Sequence, residues 1–235
     1  LAAWSVEFGL ERVMKEQLNG IGMTSARTRA RLIERLFEQG IRDPRVLDCF
    51  NKVPRHLFVD EALGHKAYED ISVPIGYAQT LSQPYIVARM TELVLQAPHH
   101  ETVLEIGTGS GFQTCVLANV VSEVFSVERI EPLQQKARAR IRALKLYNTQ
   151  LKMADGFLGW PTQAPFDVII GTAAPSEPPK ELVDQLIPDG GRLIMPIGEE
   201  EQYLTVIDKH GDELDIQKIE PVVFVPMLQG VKRES

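Results

Sequence analysis

Apolar positions along the chain fall into two rhythms. Up to about residue 50 they recur every three or four residues, the spacing of amphipathic helices; from Thr102 onward short β-branched runs alternate with helical stretches. Val6, Leu10, Val13, Met14 and Leu18 predict a short helix ended near Asn19 and Gly20. Its polar side carries both signs of charge, which suits packing on this or a neighbouring subunit rather than a membrane surface, where a basic face is needed. The stretch SARTRARLIERLFEQG predicts a second helix with Ala26, Ala30, Ile33 and Phe37 inward and Gly40 as a left-handed C-cap. Asp43 and Pro44 supply the cap and first-turn proline of a third helix running towards Phe50.

After Asn51, Pro54, Gly64, Pro74, Gly76 and Pro84 interrupt any long periodic element, so an irregular segment is expected. Beyond it, TVLEI, VFSV, TQLKM, FDVII and GRLIMPI read as strands of a parallel sheet wrapped by helices. The helix over 130–146 turns Leu133, Ala137, Ile141 and Leu144 inward, and its run of Lys136, Arg138, Arg140, Arg142 and Lys145 reads as a solvated face. YLTVID, a charged hairpin centred on Lys209 to Asp212, and EPVVFVP predict antiparallel strands that close the sheet edge. The expected fold class is α/β: a doubly wound, mostly parallel seven-stranded sheet with helices on both faces, plus a helical N-terminal subdomain. The expected division is an extension over 1–22 and one domain over 23–235, split into a substrate-side part (23–100) and a cofactor-binding core (101–235).

Composition narrows the function classes. A net charge of −7 argues against broad contact with nucleic acid, whose binders usually carry a basic face. Two cysteines cannot make a disulfide framework, and Cys115 sits in a helical apolar pattern where an inert buried thiol is expected, so a reducing cytoplasm fits best. The five histidines, His99 and His100 included, lack partners at zinc-site spacing, so no metal is expected. No apolar run reaches the roughly 18 residues of a membrane span, and Glu7, Glu11 and Arg12 interrupt the start in a way signal peptides avoid, so a soluble chain is expected.

The sharpest chemical feature is VLEIGTGSGFQT, a strand running through glycines into a helix, where a backbone without side chains comes close to a ligand. A dinucleotide fingerprint needs G-x-G-x-x-G, but Gly107 and Gly109 are followed by Gly111, leaving Phe112 where the third glycine belongs. The run Glu105, Gly107, Gly109, Gly111, with Thr108 between, instead resembles the first motif of class I methyltransferases, E-x-G-x-G-x-G. That resemblance places Glu105 at the methionine end of S-adenosylmethionine. Glu128 ends the next strand about twenty residues on, where nucleotide-binding folds put the acid that accepts both ribose hydroxyls. The alternative is a surface acid capping the helix near Pro132. Asp155 with Gly156 resembles the acid that accepts from the adenine amino group, its alternative being a plain turn.

The segments VPRHLFVDEA, AYEDISVPIGYAQTLSQPYIVARMTEL, VLEIGTGSGFQT, VERIEPL, PFDVIIGTAAP and FVPM together resemble the protein-L-isoaspartate O-methyltransferase family from about Met23 onward. The resemblance implies a Rossmann-like methyltransferase using S-adenosylmethionine and yielding S-adenosylhomocysteine. Its partners would be proteins and peptides carrying isoaspartyl residues, whose misplaced α-carboxylate is methylated so that the ester can re-close to succinimide. It also implies Ser82 as catalytic position, Thr80 beside it, Val225 and Pro226 along the peptide groove, and Thr172 with Ala173 bordering the reacting centre. Ser82-Gln83-Pro84 is equally how a helix begins, with serine as cap. Two departures concern peptide preference: Val223 where relatives often carry arginine, and Gly171 where a β-branched residue is common.

Three rivals compete. A class I methyltransferase for a small-molecule carboxylate or hydroxyl shares the loop, although TAAP replaces the N/D-P-P-Y/F of base-amino methylases. A nicotinamide oxidoreductase is disfavoured by Phe112. A non-catalytic adapter would bind the cofactor without turnover.

Overall fold

The computed structural model of the chain describes residues 22–233. The helix expected before Gly20 lies outside them. The N-terminal part holds helices α1 (Ala26–Glu38) and α2 (Pro44–Lys52), two 3-10 turns (Arg55–Phe58 and Glu61–Lys66), a hairpin of β1 (Val73–Gly76) and β2 (Gln79–Leu81), and helix α3 (Pro84–Leu95). Asp43 caps α2 as expected, its side chain accepting from the Arg45 N–H with Pro44 in the first turn. Gly40 follows α1 with φ of +108°.

The inward face of α1 differs from the expected one. Arg29, Leu32 and Leu36 are buried, whereas Ala26, Ala30 and Phe37 are exposed and Ile33 is half-buried. Both sets obey helical spacing. Two leucines remove more apolar area from water than two alanines do, and the Phe37 ring is covered by the Arg42 guanidinium, 4.3 Å from its centre, outside the core.

The remainder is one seven-stranded sheet: β3 (Thr102–Ile106), β4 (Glu123–Glu128), β5 (Thr149–Met153), β6 (Val168–Gly171), β7 (Asp189–Ile197), β8 (Gln202–His210) and β9 (Glu213–Val222). Helices α4 (Phe112–Ala118), α5 (Glu131–Ala143) and α6 (Lys180–Asp184) connect them. The strand order is β5-β4-β3-β6-β7-β8-β9, parallel through β7 and antiparallel at β8 and β9. Successive strand side chains serve opposite faces. Val103, Val124, Val168, Ile170 and Ile194 join one core with α1 to α4, and Leu104, Phe125, Ile169, Leu193 and Met195 join another on the reverse face. Burial on both faces is why these strands read as continuous apolar runs. The N-terminal helices therefore share a core with the sheet.

Two further expectations are corrected. The last strand starts at Glu213 and ends at Val222, so EPVVFVP is only its tail; Phe224 N–H donates to the Gln202 side chain, and the Val225 carbonyl accepts from Ala174 N–H just after β6. On α5, Arg138 and Arg140 do not simply face water: Arg138 donates to the Leu151 carbonyl and Arg140 to the Ser110 carbonyl, both at 3.0 Å.

Candidate active site

Strand β3 pairs with β4 on one side and β6 on the other, so the chain leaves it in opposite directions and a crevice opens beyond its C-terminal end. A cavity fills that crevice, with about 910 Å³ of free space including open solvent at its mouth. Gly107, Thr108, Gly109 and Ser110 after β3 line it, as do Glu128 with Arg129 and Ile130 after β4, Gly156 after β5, and Thr172 with Ala173 after β6. The β1–β2 hairpin contributes Ile75, Gln79 and Thr80; Ser82 leads into α3; and Val225, Pro226, Met227 and Leu228 cross from the C-terminal side.

The floor has no room for side chains. A Cβ on Gly107, at φ of +96°, would stand 2.3 Å from the Thr172 hydroxyl, and one on Gly156 would stand 2.6 Å from Ile106. Gly111, expected to contact the cofactor, lies off the lining. It caps α4 at φ of +87°, and a Cβ there would come 3.1 Å from that of Ala137, so its task is close packing of α4 on α5. Phe112, which stands where a dinucleotide fingerprint has its third glycine, sets its ring edge-on to Phe50 and Phe58 at 5.7 and 5.3 Å.

Glu128 does line the cavity, and it does not cap α5 as a surface acid would. It is 4% exposed; one oxygen accepts from Gly109 N–H at 2.7 Å and the other from the N–H groups of Arg129 and Ile130 at 2.8 and 2.9 Å. Burial raises its pKa and those three donors oppose the rise. Thr108 hydrogen-bonds Ser126 at 2.5 Å.

Glu105 lies beneath the glycine bend and not in the cavity wall. It points off the sheet, fully buried; one oxygen accepts from Thr114 and Ser126, both at 2.5 Å, and the other has no partner among the described residues. Burial pushes its carboxyl up to about 8 despite those two hydroxyls. Asp155 also stands off the lining, since its carboxylate accepts from Phe157 N–H and from Gly230 N–H, pinning the C-terminal segment. That segment is also tied by Lys232 N–H to Arg129 O and by Met227 N–H to Ala174 O.

A second cavity opens beside the first, lined by Ser72, Gln83, Ile86 and the stretch from Pro221 to Val225, among others. The two share Thr80, Ser82, Thr172 and Val225. Ser82 is not the helix cap, since Gln83 holds that position; Ser82 stands at the shared wall, and among the described residues its hydroxyl makes no hydrogen bond. Thr172 turns its hydroxyl back to the Ile106 and Gly107 carbonyls, at 3.1 and 2.7 Å. Pro226 lines the first cavity alone, and Val223, 97% exposed, flanks the second. Gly171 is explained by Met195, whose side chain fills the space a Cβ would need, 2.9 Å away.

Sequence reasoning missed Gln79, Ile130 and Leu228 in the lining, and gave Met227 no role although FVPM was noted. Ile130 follows Glu128 by two residues, so the corner carrying the acid was a signal for it; nothing local marks Leu228.

The fold and the glycine bend at its switch point define a class I S-adenosylmethionine-dependent methyltransferase, and the residues fit that cofactor: Gly107 and Gly156 leave no room for a Cβ on the cavity floor, and the carboxylate of Glu128 lines its wall. The profile of the protein-L-isoaspartate(D-aspartate) O-methyltransferase family matches residues 27–232, and the chain belongs to that family. Protein-L-isoaspartate O-methyltransferase 1 of Marinobacter nauticus is 60% identical over 221 residues, 94% of this chain and 100% of that one. The Saccharophagus degradans enzyme is 57% identical over 92% of this chain and 98% of its own length. Among solved structures, a protein-L-isoaspartate O-methyltransferase superposes with a TM-score of 0.75 at 28% identity, covering 84% of this chain and 65% of that one. A Plasmodium falciparum relative described as a complex with S-adenosyl-L-homocysteine gives 0.71 at 27% identity, covering 84% and 96%.

Proposed function

We propose that the two cavities form one reaction chamber. In it a methyl group passes from S-adenosylmethionine to the free α-carboxylate of an L-isoaspartyl residue in a damaged protein or peptide, the first step of repair. The observation that carries this reading is the wall of Thr80, Ser82, Thr172 and Val225, common to both cavities. The first cavity would take the cofactor and the second the peptide.

Bound there, the cofactor supplies an electrophilic methyl on a cationic sulfur. The acceptor needs no base, because a carboxylate with a pKa near 4 is ionised at neutral pH. The residues therefore act by placement, and alignment alone contributes roughly 7 to 11 kcal/mol to such reactions. Ser82, with Thr80 beside it, donates to one carboxylate oxygen and leaves the other aimed through the wall. Thr172, its hydroxyl turned to Ile106 and Gly107, shapes the passage and does not bind substrate. Val225 borders the peptide side, while Pro226 stands on the cofactor side of the wall. Three of the roughly four lone-pair sites of Glu128 serve backbone donors, which leaves one, on the oxygen that accepts from Gly109, for a ribose hydroxyl. Gly107, Thr108, Gly109 and Gly156 border the cofactor directly, while Glu105, Gly111 and Asp155 support it from behind.

Both parts serve both sides: 23–100 gives Ser72, Gln83 and Ile86 to the peptide cavity and Ile75 and Gln79 to the cofactor cavity, while 101–235 gives the cofactor floor and the stretch from Pro221 to Val225 beside the peptide. Among the described residues no helix is long and apolar enough to cross a membrane; a cytoplasmic site of action is part of the proposal.

The test is transfer of labelled methyl to two peptides differing only in an isoaspartyl or aspartyl linkage. Base-labile label in the isoaspartyl peptide alone is expected. Equal labelling of both would overturn the reading in favour of a less selective carboxyl methylase.

A further inference from the structure

Arg55 begins the 3-10 turn Arg55–Phe58 and lines neither cavity, yet it is the bulkiest fully buried side chain among the described residues, 1% exposed. Among those residues no carboxylate reaches it at ion-pair distance. Asp70 offsets its charge only through space, and burial pushes the guanidinium down to about 9. A charge in such a position is costly, and an apolar side chain of similar volume would pack there at lower cost. Its contacts show what the charge holds. Nε donates to the Ala67 carbonyl at 2.8 Å, and Nη2 donates to the Ser82 carbonyl at 2.7 Å. The guanidinium carbon lies 4.9 Å from the centre of the Phe112 ring, the residue that follows the glycine bend and opens α4.

We infer that Arg55 is the positioning residue for Ser82: it grips the serine's own carbonyl while resting on Phe112, and so fixes the hydroxyl relative to the glycine bend. The inference rests on the reading of Ser82 given above. A planar fork can hold two carbonyls and lie on a ring at once, which a lysine ammonium cannot. Ser82 is not the cap of α3, whose cap position is Gln83, so capping does not orient its hydroxyl. Releasing the carbonyl lets the peptide rotate and the hydroxyl swing, and a displacement of about 1 Å in a reaction governed by alignment costs on the order of 100-fold in rate.

A double-mutant cycle on kcat for the isoaspartyl peptide tests this, using Arg55→Lys, Ser82→Ala and the pair. Melting temperature and cofactor Kd by calorimetry are measured on the same samples. Arg55→Lys is expected to lower kcat about 30- to 100-fold while peptide KM and cofactor Kd stay within about threefold. In the Ser82→Ala background the same change is expected to cost less than about threefold, because the group it positions is already gone. Phe112→Leu, which removes the ring under the guanidinium, serves as second variant should Arg55→Lys fold poorly, and the same non-additivity is expected. Equal fold losses in both backgrounds would overturn the inference and leave Arg55 a purely structural residue. A Ser82→Ala enzyme with unchanged kcat would overturn the reading of Ser82 itself, and the inference with it.

Discussion

Glu105 is buried beneath the glycine loop with one oxygen unpartnered, so its protonation should couple the fold to pH in a measurable way. Its carboxyl sits at about 8 where an ordinary glutamate sits at 4.5, because burial disfavours the charge more than the Thr114 and Ser126 hydroxyls favour it. The folded state thus keeps a proton that the unfolded chain has already released over that interval. Stability from this group is complete below about 4.5 and drains away as pH rises through about 8. At roughly 1.4 kcal/mol for each tenfold change in the acid constant, the loss is on the order of 5 kcal/mol. Glu105→Gln keeps the shape and an acceptor for both hydroxyls but cannot ionise. Urea unfolding of both proteins from pH 5 to pH 9 isolates the effect, since other titrating groups cancel in the difference. The wild type is expected to lose several kcal/mol relative to the variant across that range, chiefly between pH 5 and 8. A difference independent of pH would refute the reasoning, showing that Glu105 titrates in the fold as it does in the unfolded chain.

Other substitutions test the floor and the ribose corner. Gly111→Ala forces a side chain into a left-handed backbone and against Ala137; a loss of about 2 to 4 kcal/mol is expected in urea unfolding. Glu128→Gln should weaken S-adenosylmethionine about 10- to 100-fold by calorimetry, the value of hydrogen bonds to a charged group, while unchanged affinity would show that the ribose is held elsewhere.

The sheet was legible because strands buried on both faces leave uninterrupted apolar runs, as TVLEI and FDVII do. The start of β9 was not: Leu214 and Ile216 are exposed, and pairing with β8 alone holds that segment, so no buried stripe marks it. The wrong face of α1 has a similar cause, since helical spacing fits either Ala26 and Phe37 or Leu32 and Leu36, and only tertiary packing decides between them. At the site, the glycine bend and Glu128 could be read because strand, turn and acid lie within one βαβ unit. Residues brought there by distant chain were harder. Pinning of the C-terminal segment by Asp155 spans 75 positions, and the grip of Arg55 on Ser82 spans 27. Neither has a local pattern to announce it. Glu105 and Gly111 were found by motif, yet their positions behind the lining follow from strand alternation and from the approach of α5, which the motif does not encode.

The most direct measurement is a crystal structure of the protein with S-adenosylhomocysteine and an isoaspartyl peptide bound together. The account predicts sulfur over the bend between Ile106 and Phe112, a ribose hydroxyl on Glu128, and the peptide's free α-carboxylate at the shared wall with one oxygen on Ser82 and the other facing the sulfur. A cofactor lodged outside that bend, or a carboxylate held away from Ser82 with its open oxygen turned from the sulfur, would contradict it.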